Sequence, residues 1–330
     1  MIKTFKISTL SINLKLTFSL IVFILFSSCT NSDSPLPEPT LVTEINFYAC
    51  GTGSDNTIDR AVYWKNGLSY LLTNSAGSAN ALAVKGSNVH VVGSEGTSAR
   101  YWINGVVQSF TTPGASLTDV SLFGNDVYLL GKVGNDIRYW KNGLLTTVVN
   151  FASDVLTPAT INVFGTDVYI AYTEGINVKI WKNGVITTLS DGIKTDTCKD
   201  MIIRSGAVYV LAEEVVGSMK KIKYWKDGVV TYLPSSSANV FCSRIDVDGT
   251  NVYVGGTVNN KAVYWNNGVV VSQSNIAANS SGGAIDAFDG NLFAAIIENG
   301  VTTFLKNTLV LGTDSFVNSA TVNECFVEYK

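Results

Sequence analysis

Tyr139-Trp140-Lys141-Asn142-Gly143 decides the fold, because the same five-residue pattern returns along the chain at a spacing of about 40 residues, the period of repeat architectures. It stands again as Tyr63-Trp64-Lys65-Asn66-Gly67, Tyr101-Trp102-Ile103-Asn104-Gly105, Ile180-Trp181-Lys182-Asn183-Gly184, Tyr224-Trp225-Lys226-Asp227-Gly228 and Tyr264-Trp265-Asn266-Asn267-Gly268. A degraded seventh copy is Phe304-Leu305-Lys306-Asn307-Thr308. Successive Trp residues are separated by 38, 38, 41, 44 and 40 positions, and Leu305 follows 40 later. All six Trp of the chain occupy this one register.

Upstream of each copy lies an apolar-aromatic-apolar core, such as Val127-Tyr128-Leu129 or Val208-Tyr209-Val210, with His90 replacing the aromatic in the second unit. Eight residues before that aromatic sits a further apolar residue: Leu82, Val120, Ile161, Met201, Ile245 and Ile285. Each unit therefore holds four short β-rich runs, a to d; in the third they are 119–123, 127–131, 137–140 and 145–149. Gly-Asn-Asp and Gly-Thr-Asp join a to b, and Asn-Gly or Asp-Gly joins c to d, the chemistry of a type I′ hairpin. No stretch between 41 and 330 has capped helical periodicity. Four antiparallel strands in about 40 residues, repeated, predict a β-propeller of seven four-stranded blades.

The ends predict how the ring closes. The first unit begins at run b, in Glu44-Ile-Asn-Phe-Tyr-Ala-Cys50, and the segment Ala320-Thr-Val-Asn-Glu-Cys-Phe-Val-Glu-Tyr329 reads as the missing run a. The C-terminal strand is expected to complete the first blade. Residues 42–330 are then one domain, seven units of about 41 residues.

The first 28 residues read as a signal peptide: Lys3, Lys6 and Lys15 precede the apolar run 16–26, too short for a membrane span of about 20 residues. Leu25-Phe26-Ser27-Ser28-Cys29 resembles the lipobox of bacterial lipoproteins, although Phe26 occupies the usual place of the aliphatic residue. The resemblance implies that Cys29 is lipidated and heads the mature chain. Thr30 in place of Asp implies an outer-membrane lipoprotein, periplasm-facing or at the cell surface. Residues 29–41, with Pro35, Pro37 and Pro39, form an extended tether. From its repeats the chain resembles secreted bacterial propeller lipoproteins built of Tyr-Trp-Lys-Asn-Gly units, and it is neither WD40 nor kelch by motif.

Composition excludes whole classes. Of 330 residues 15% are charged, with a net charge of -3, which gives no electrostatic reason to bind nucleic acid. One His leaves no multi-histidine metal site. No cofactor is expected, and the expected state is a monomer.

Each conspicuous residue has a packing reading and a chemical one. The stripe Trp64, Trp102, Trp140, Trp181, Trp225 and Trp265 suits sugar stacking, but one Trp per blade before a hairpin is what packing between blades requires, with the preceding Tyr turned to the opposite neighbour. His90 reads as a packing aromatic, and the turn lysines Lys65, Lys141, Lys182, Lys226 and Lys306 as a solvated rim. Cys50 and Cys325 fall on strands expected to pair, opposite or one residue from opposite, so a disulfide would lock the closure. Cys198 and Cys242 hold equivalent places on adjacent blades and are a second possible pair.

Binding is expected on the face formed by the d-to-a and b-to-c loops, of which 150–158, 190–200, 234–243 and 273–283 are the longest. Asp154, Asp191, Asp196 and Asp200 are cation candidates there, without the spacing of a calcium loop, and Phe241 is an aromatic contact. No catalytic constellation is present, so the favoured function is a non-enzymatic scaffold that recognises a protein or glycan. The rival is a carboxylate-dependent polysaccharide-degrading enzyme, which buried channel carboxylates with raised pKa would favour.

Overall fold

The computed structural model describes residues 45–54, 57–110, 112–149, 156–237, 239–271, 280–314 and 318–329. They form seven four-stranded antiparallel sheets arranged as blades in a ring, with no helix among them. The inner strands a are Asn318–Tyr329 in blade 1, Gly77–Lys85, Ala115–Phe123, Leu156–Phe164, Asp196–Arg204, Val240–Asp248 and Ser280–Phe288 in blades 2 to 7. Blade 1 takes its inner strand from the C-terminal segment, which pairs with Ile45–Ser54, so the closure expected from the repeat count is the one observed.

The repeat pentapeptide builds the c-to-d hairpin by local chemistry. Asn142 and Gly143 have φ of 50° and 82°, a left-handed pair that Asn and Gly tolerate. Asn142 also ties the hairpin to strand b of its own blade: its N–H donates to the Val127 carbonyl, and its Oδ1 accepts the Val127 N–H, both at 2.9 Å. The same side-chain acceptor recurs in every blade, from Asn66 to Asn307, with Asp227 serving in blade 5. The motif is therefore a three-strand stitch.

Blades hold together through seven buried apolar clusters, one at each junction. Trp102 of blade 2 lies in a cluster with Tyr48 and Tyr63 of blade 1, and Trp64 of blade 1 with Phe293 and Phe304 of blade 7. Trp thus faces the preceding blade and Tyr the following one, because neighbouring residues of a strand point to opposite sides. The five turn lysines are not simply solvated: each lies over the strand-b aromatic, Lys182 for example 4.8 Å from the centre of the Tyr169 ring.

Inner strands are longer than the apolar runs suggest. In blade 3 the strand starts at Ala115, four residues earlier than expected, because a bulge at Thr118 breaks the alternation of side chains while pairing continues. Blades 2 to 7 each carry a bulge at this place, and blade 1 has one at the matching position. Gly131 faces the bulge in blade 3, where a Cβ would run into the Ser116 carbonyl oxygen.

Neither expected disulfide is present: Cys50, Cys198, Cys242 and Cys325 are buried free thiols. Register explains the first pair. Cys325 is opposite Ala49, and Cys50 is opposite Glu324, so the two thiols leave the sheet on opposite faces. Cys50 enters the cluster between blades 1 and 2, and Cys325 the one between blades 7 and 1. Cys198 and Cys242 likewise enter different junctions.

Candidate functional site: the central channel and the loop face

Seven inner strands facing an axis create an edge problem, since each presents backbone N–H and C=O groups with no further strand to pair. Side chains placed just after the bulge resolve it. Asp119 Oδ2 accepts the Ile161 N–H of the next blade at 2.7 Å, Asp200 Oδ2 accepts that of Ile245 at 3.0 Å, and Glu324 Oε2 accepts that of Leu82 at 2.8 Å. Two residues further along, Asp246 and Asp286 do the same for Ala287 and Val327, both at 2.6 Å. The two remaining junctions are crossed by amides: Asn80 donates to Leu117 O and Asn162 to Met201 O. Every junction thus carries at least one side-chain bridge among the described residues.

One guanidinium serves the acidic positions. Arg244 donates through Nε to the Asn323 carbonyl at 3.0 Å, and its Nη1 and Nη2 stand 3.7 Å from Asp200 and 3.6 Å from Glu324. The three carboxyls beside it exceed its charge. Burial raises the Asp119 pKa against the opposing pull of Arg244, pushes Asp200 up to about 6 and pushes Glu324 up to about 8. Asp286 is raised well above the usual range by burial, then by the charge and hydrogen bond of Asp246 beside it. These groups border a cavity of about 270 Å³ on the half of the channel nearer the hairpin turns.

The channel set was only partly visible in the sequence. Asp200 was a candidate for a cation site, whereas it bridges blades 5 and 6. Asp119, Asp246, Asp286, Glu324 and Arg244 were missed, although a signal existed: each is a charged residue next to the apolar residue at the start of its inner run, or to the matching Cys325 in blade 1.

The other candidates stay apart. Asp191 is exposed, and its Oδ1 accepts the N–H of Ile193 at 2.9 Å, a local loop turn. Asp196 is buried against Lys223, whose Nζ donates to it at 2.9 Å and to Glu214 at 2.8 Å; Tyr232 donates to the same Glu214 oxygen. That buried ion cluster holds together the long strands of blade 5. Asp154 and Cys29 lie outside the described residues. Phe241 is half-exposed on the loop face, with Lys220 Nζ 4.0 Å from its ring centre. His90 is buried, its Nδ1 hydrogen-bonded to Tyr101 Oη at 2.6 Å, and burial, then Lys85, lowers its pKa. Among the described residues no group of three or more His, Cys, Asp or Glu is placed to hold a metal.

No family model and no curated protein matches the chain. Solved structures similar to it include the computationally designed Ika8 protein, 14% identical with a TM-score of 0.52, over 82% of this chain and 90% of that one. Another comes from a study of two prolyl endopeptidases, 10% identical with a TM-score of 0.50, where 86% of this chain matches 48% of the other. An oligogalacturonate lyase in complex with manganese is 8% identical with a TM-score of 0.46, over 75% and 82% of the two chains. At these identities the likeness is one of fold alone.

Proposed function

We propose that the protein is an extracytoplasmic recognition scaffold, held at an outer membrane by lipid on Cys29, whose loop face binds a protein or glycan while its channel performs no chemistry. One observation carries this reading: the channel carboxylates that have raised pKa values are committed to backbone N–H groups of the neighbouring blade. A general acid or nucleophile needs an oxygen directed at substrate, whereas Asp119 and Asp200 use both oxygens, and Glu324 and Asp286 one each, to accept backbone N–H groups. Exposed Ile193 and half-exposed Phe241 lie instead on the loop face, as contact residues would.

The test is a glycan-array and pull-down screen of the chain from residue 31. Binding that Ile193→Ser or Phe241→Ser weakens, and that Asp200→Asn leaves intact, supports the scaffold. The rival enzyme is favoured by Asp200 at about 6 and Glu324 at about 8, values suited to acid–base work. Turnover of a polysaccharide abolished by Asp200→Asn or Glu324→Gln would replace the scaffold reading with it.

A further inference from the structure

Strands alternate in direction within each blade, so every a-to-b and every c-to-d turn lies on one face of the ring, opposite the loop face. Immediately after the c-to-d turn, each outer strand begins with an exposed aliphatic residue. Leu68, Val106, Leu144, Val185, Val229, Val269 and Leu309 hold this position in blades 1 to 7, each between 64% and 76% exposed. In six blades the second residue is also an exposed aliphatic, Leu145 and Ile186 among them.

Strand propensity does not account for this. The same outer strands turn polar toward the loop face, through Gln108, Thr146-Thr147, Thr187-Thr188 and Thr231, and Thr is as good a strand former as Val. Exposed apolar residues are thus concentrated at one end of the outer strands, with at least one in each of the seven blades, although Leu71, Tyr232 and Leu311 lie further along; single scattered residues would need no explanation. Phe123, Phe164 and Phe288, at the ends of three inner strands, are half-exposed on the same face around the channel mouth.

The chain enters the ring on this face too, because Ile45 starts a strand b, and strands b start at the a-to-b turns. Sixteen positions separate Ile45 from Cys29. Extended, they reach roughly 50 to 58 Å. To bring the loop face to a membrane the tether would have to cross the face and then climb a strand length of about 30 Å.

We infer that the hairpin face, through its ring of exposed aliphatic residues, rests on the surface of the lipid bilayer that holds the anchor, turning the loop face outward. This rests on the lipid anchor of the preceding reading. The contact is carried by the apolar ring rather than by charge: of the five turn lysines, Lys141 and Lys182 are paired with Asp126 and Asp167 at 2.7 and 2.9 Å, and Lys65, Lys226 and Lys306 lie over aromatic rings. Zwitterionic lipid therefore suffices, and added salt does not release the face.

The full lipidated chain in phosphatidylcholine vesicles tests it, with a fluorophore on Leu144→Cys or Val269→Cys at the hairpin face, or on Thr97→Cys in a b-to-c turn. The four buried thiols stay unlabelled. Headgroup spin-labelled lipid is expected to quench the hairpin-face labels about two-fold or more above the Thr97 site, at low and high salt. The triple variant Val106→Ser, Val185→Ser, Val229→Ser should remain anchored and lose that contrast. Equal quenching at both faces, or stronger quenching at Thr97, would overturn the orientation while leaving the anchor in place. Hairpin-face labels shielded from water but not quenched by lipid would assign the ring to a protein and overturn the bilayer. Recovery of the chain free of vesicles would overturn the anchor and the orientation together.

Discussion

Asp119 Oδ2 accepts the backbone N–H of Ile161 at 2.7 Å, while its Oδ1 accepts the N–H of Val120, its own neighbour, at 2.8 Å. One carboxylate thereby joins two inner strands that have no strand pairing with each other. Asp200 repeats the arrangement two blades on, with Ile245 and Met201, and Asp246 does so with Ala287 and Val247. The recurrence assigns these acids to architecture.

Asp119→Leu should destabilise the ring by about 1–3 kcal/mol, the cost of leaving a buried donor without a partner. Asp119→Asn keeps one acceptor and should cost less. Equilibrium urea unfolding of both variants reads the difference. Equal stability of Asp119→Leu and the parent chain would show that water replaces the carboxylate and that the bridge is dispensable.

Glu324 predicts a pH dependence of definite sign. Its pKa is about 8 in the folded chain against an ordinary 4.5, so the folded state binds the proton more tightly than the unfolded one. The stabilisation is complete below pH 4.5 and is lost as pH rises through 8. Between pH 6.5 and 8 the loss should be about 1–2 kcal/mol, less than the full shift implies because the side chain is 24% exposed to the channel. Asp200, at about 6, has lost most of its contribution by then, and His90, whose pKa is lowered, titrates below the window. Thermal unfolding of the parent chain should fall by a few degrees over this range, and that of Glu324→Gln should fall less, the remainder belonging to Asp286, which burial also raises. Parallel curves would remove Glu324 as the titrating group.

The hairpin stitch contains its own control. Asp227 holds the place of Asn in blade 5 and accepts the Val208 N–H at 2.9 Å, as Asn142 Oδ1 accepts that of Val127. Asp227→Asn should therefore be nearly neutral, because Ala207 stands where Asp126 receives Asn142 Nδ2 in blade 3, whereas Asp227→Ala removes the acceptor and puts a Cβ residue without local hydrogen bonding at φ 48°, for about 1–2 kcal/mol. Chemical denaturation of the two variants separates the acceptor from the turn preference. An Asn variant as unstable as the Ala variant would show that the charge of Asp227, and not its acceptor, matters.

What could be read in the sequence follows from what repeats. Trp140 and Asn142 recur because every junction needs a large apolar side chain there and every hairpin an acceptor, roles that Leu305 and Asp227 fill in blades 7 and 5, so spacing alone reveals the blade count and the closure. The channel residues do not recur in identity: the position after the bulge is Ala81, Asp119, Thr160, Asp200, Arg244, Ala284 and Glu324 around the ring. Any side chain that can bridge, or can leave the bridge to its neighbours, satisfies that place, which hides it from a search for repetition. The bulge itself is silent in the sequence, since Thr118 interrupts an alternation without ending the strand. Cys50 and Cys325 failed as a pair for a similar reason: a shift of one residue in register sends a side chain to the other face.

Closure should be the weakest seam. In blades 2 to 7 the inner strand is tied to strand b by a hairpin, but Asn318–Tyr329 and Ile45–Ser54 are joined by pairing alone. Opening there breaks ten residue pairs against eight in each other blade, but it frees a chain end rather than a hairpin-bound strand, and that gain in chain freedom places it lower in free energy. Cys325 and Cys50 flank that seam on its two faces, whereas Cys198 and Cys242 sit in blades whose inner strands are hairpin-bound. In urea below the unfolding midpoint, a thiol reagent should label Cys325 and Cys50 before Cys198 and Cys242, as mass spectrometry of digested samples would resolve. Simultaneous labelling of all four would mean that the ring opens only by global unfolding and that side chains such as Glu324, bridging to Leu82, secure the seam as firmly as a covalent turn.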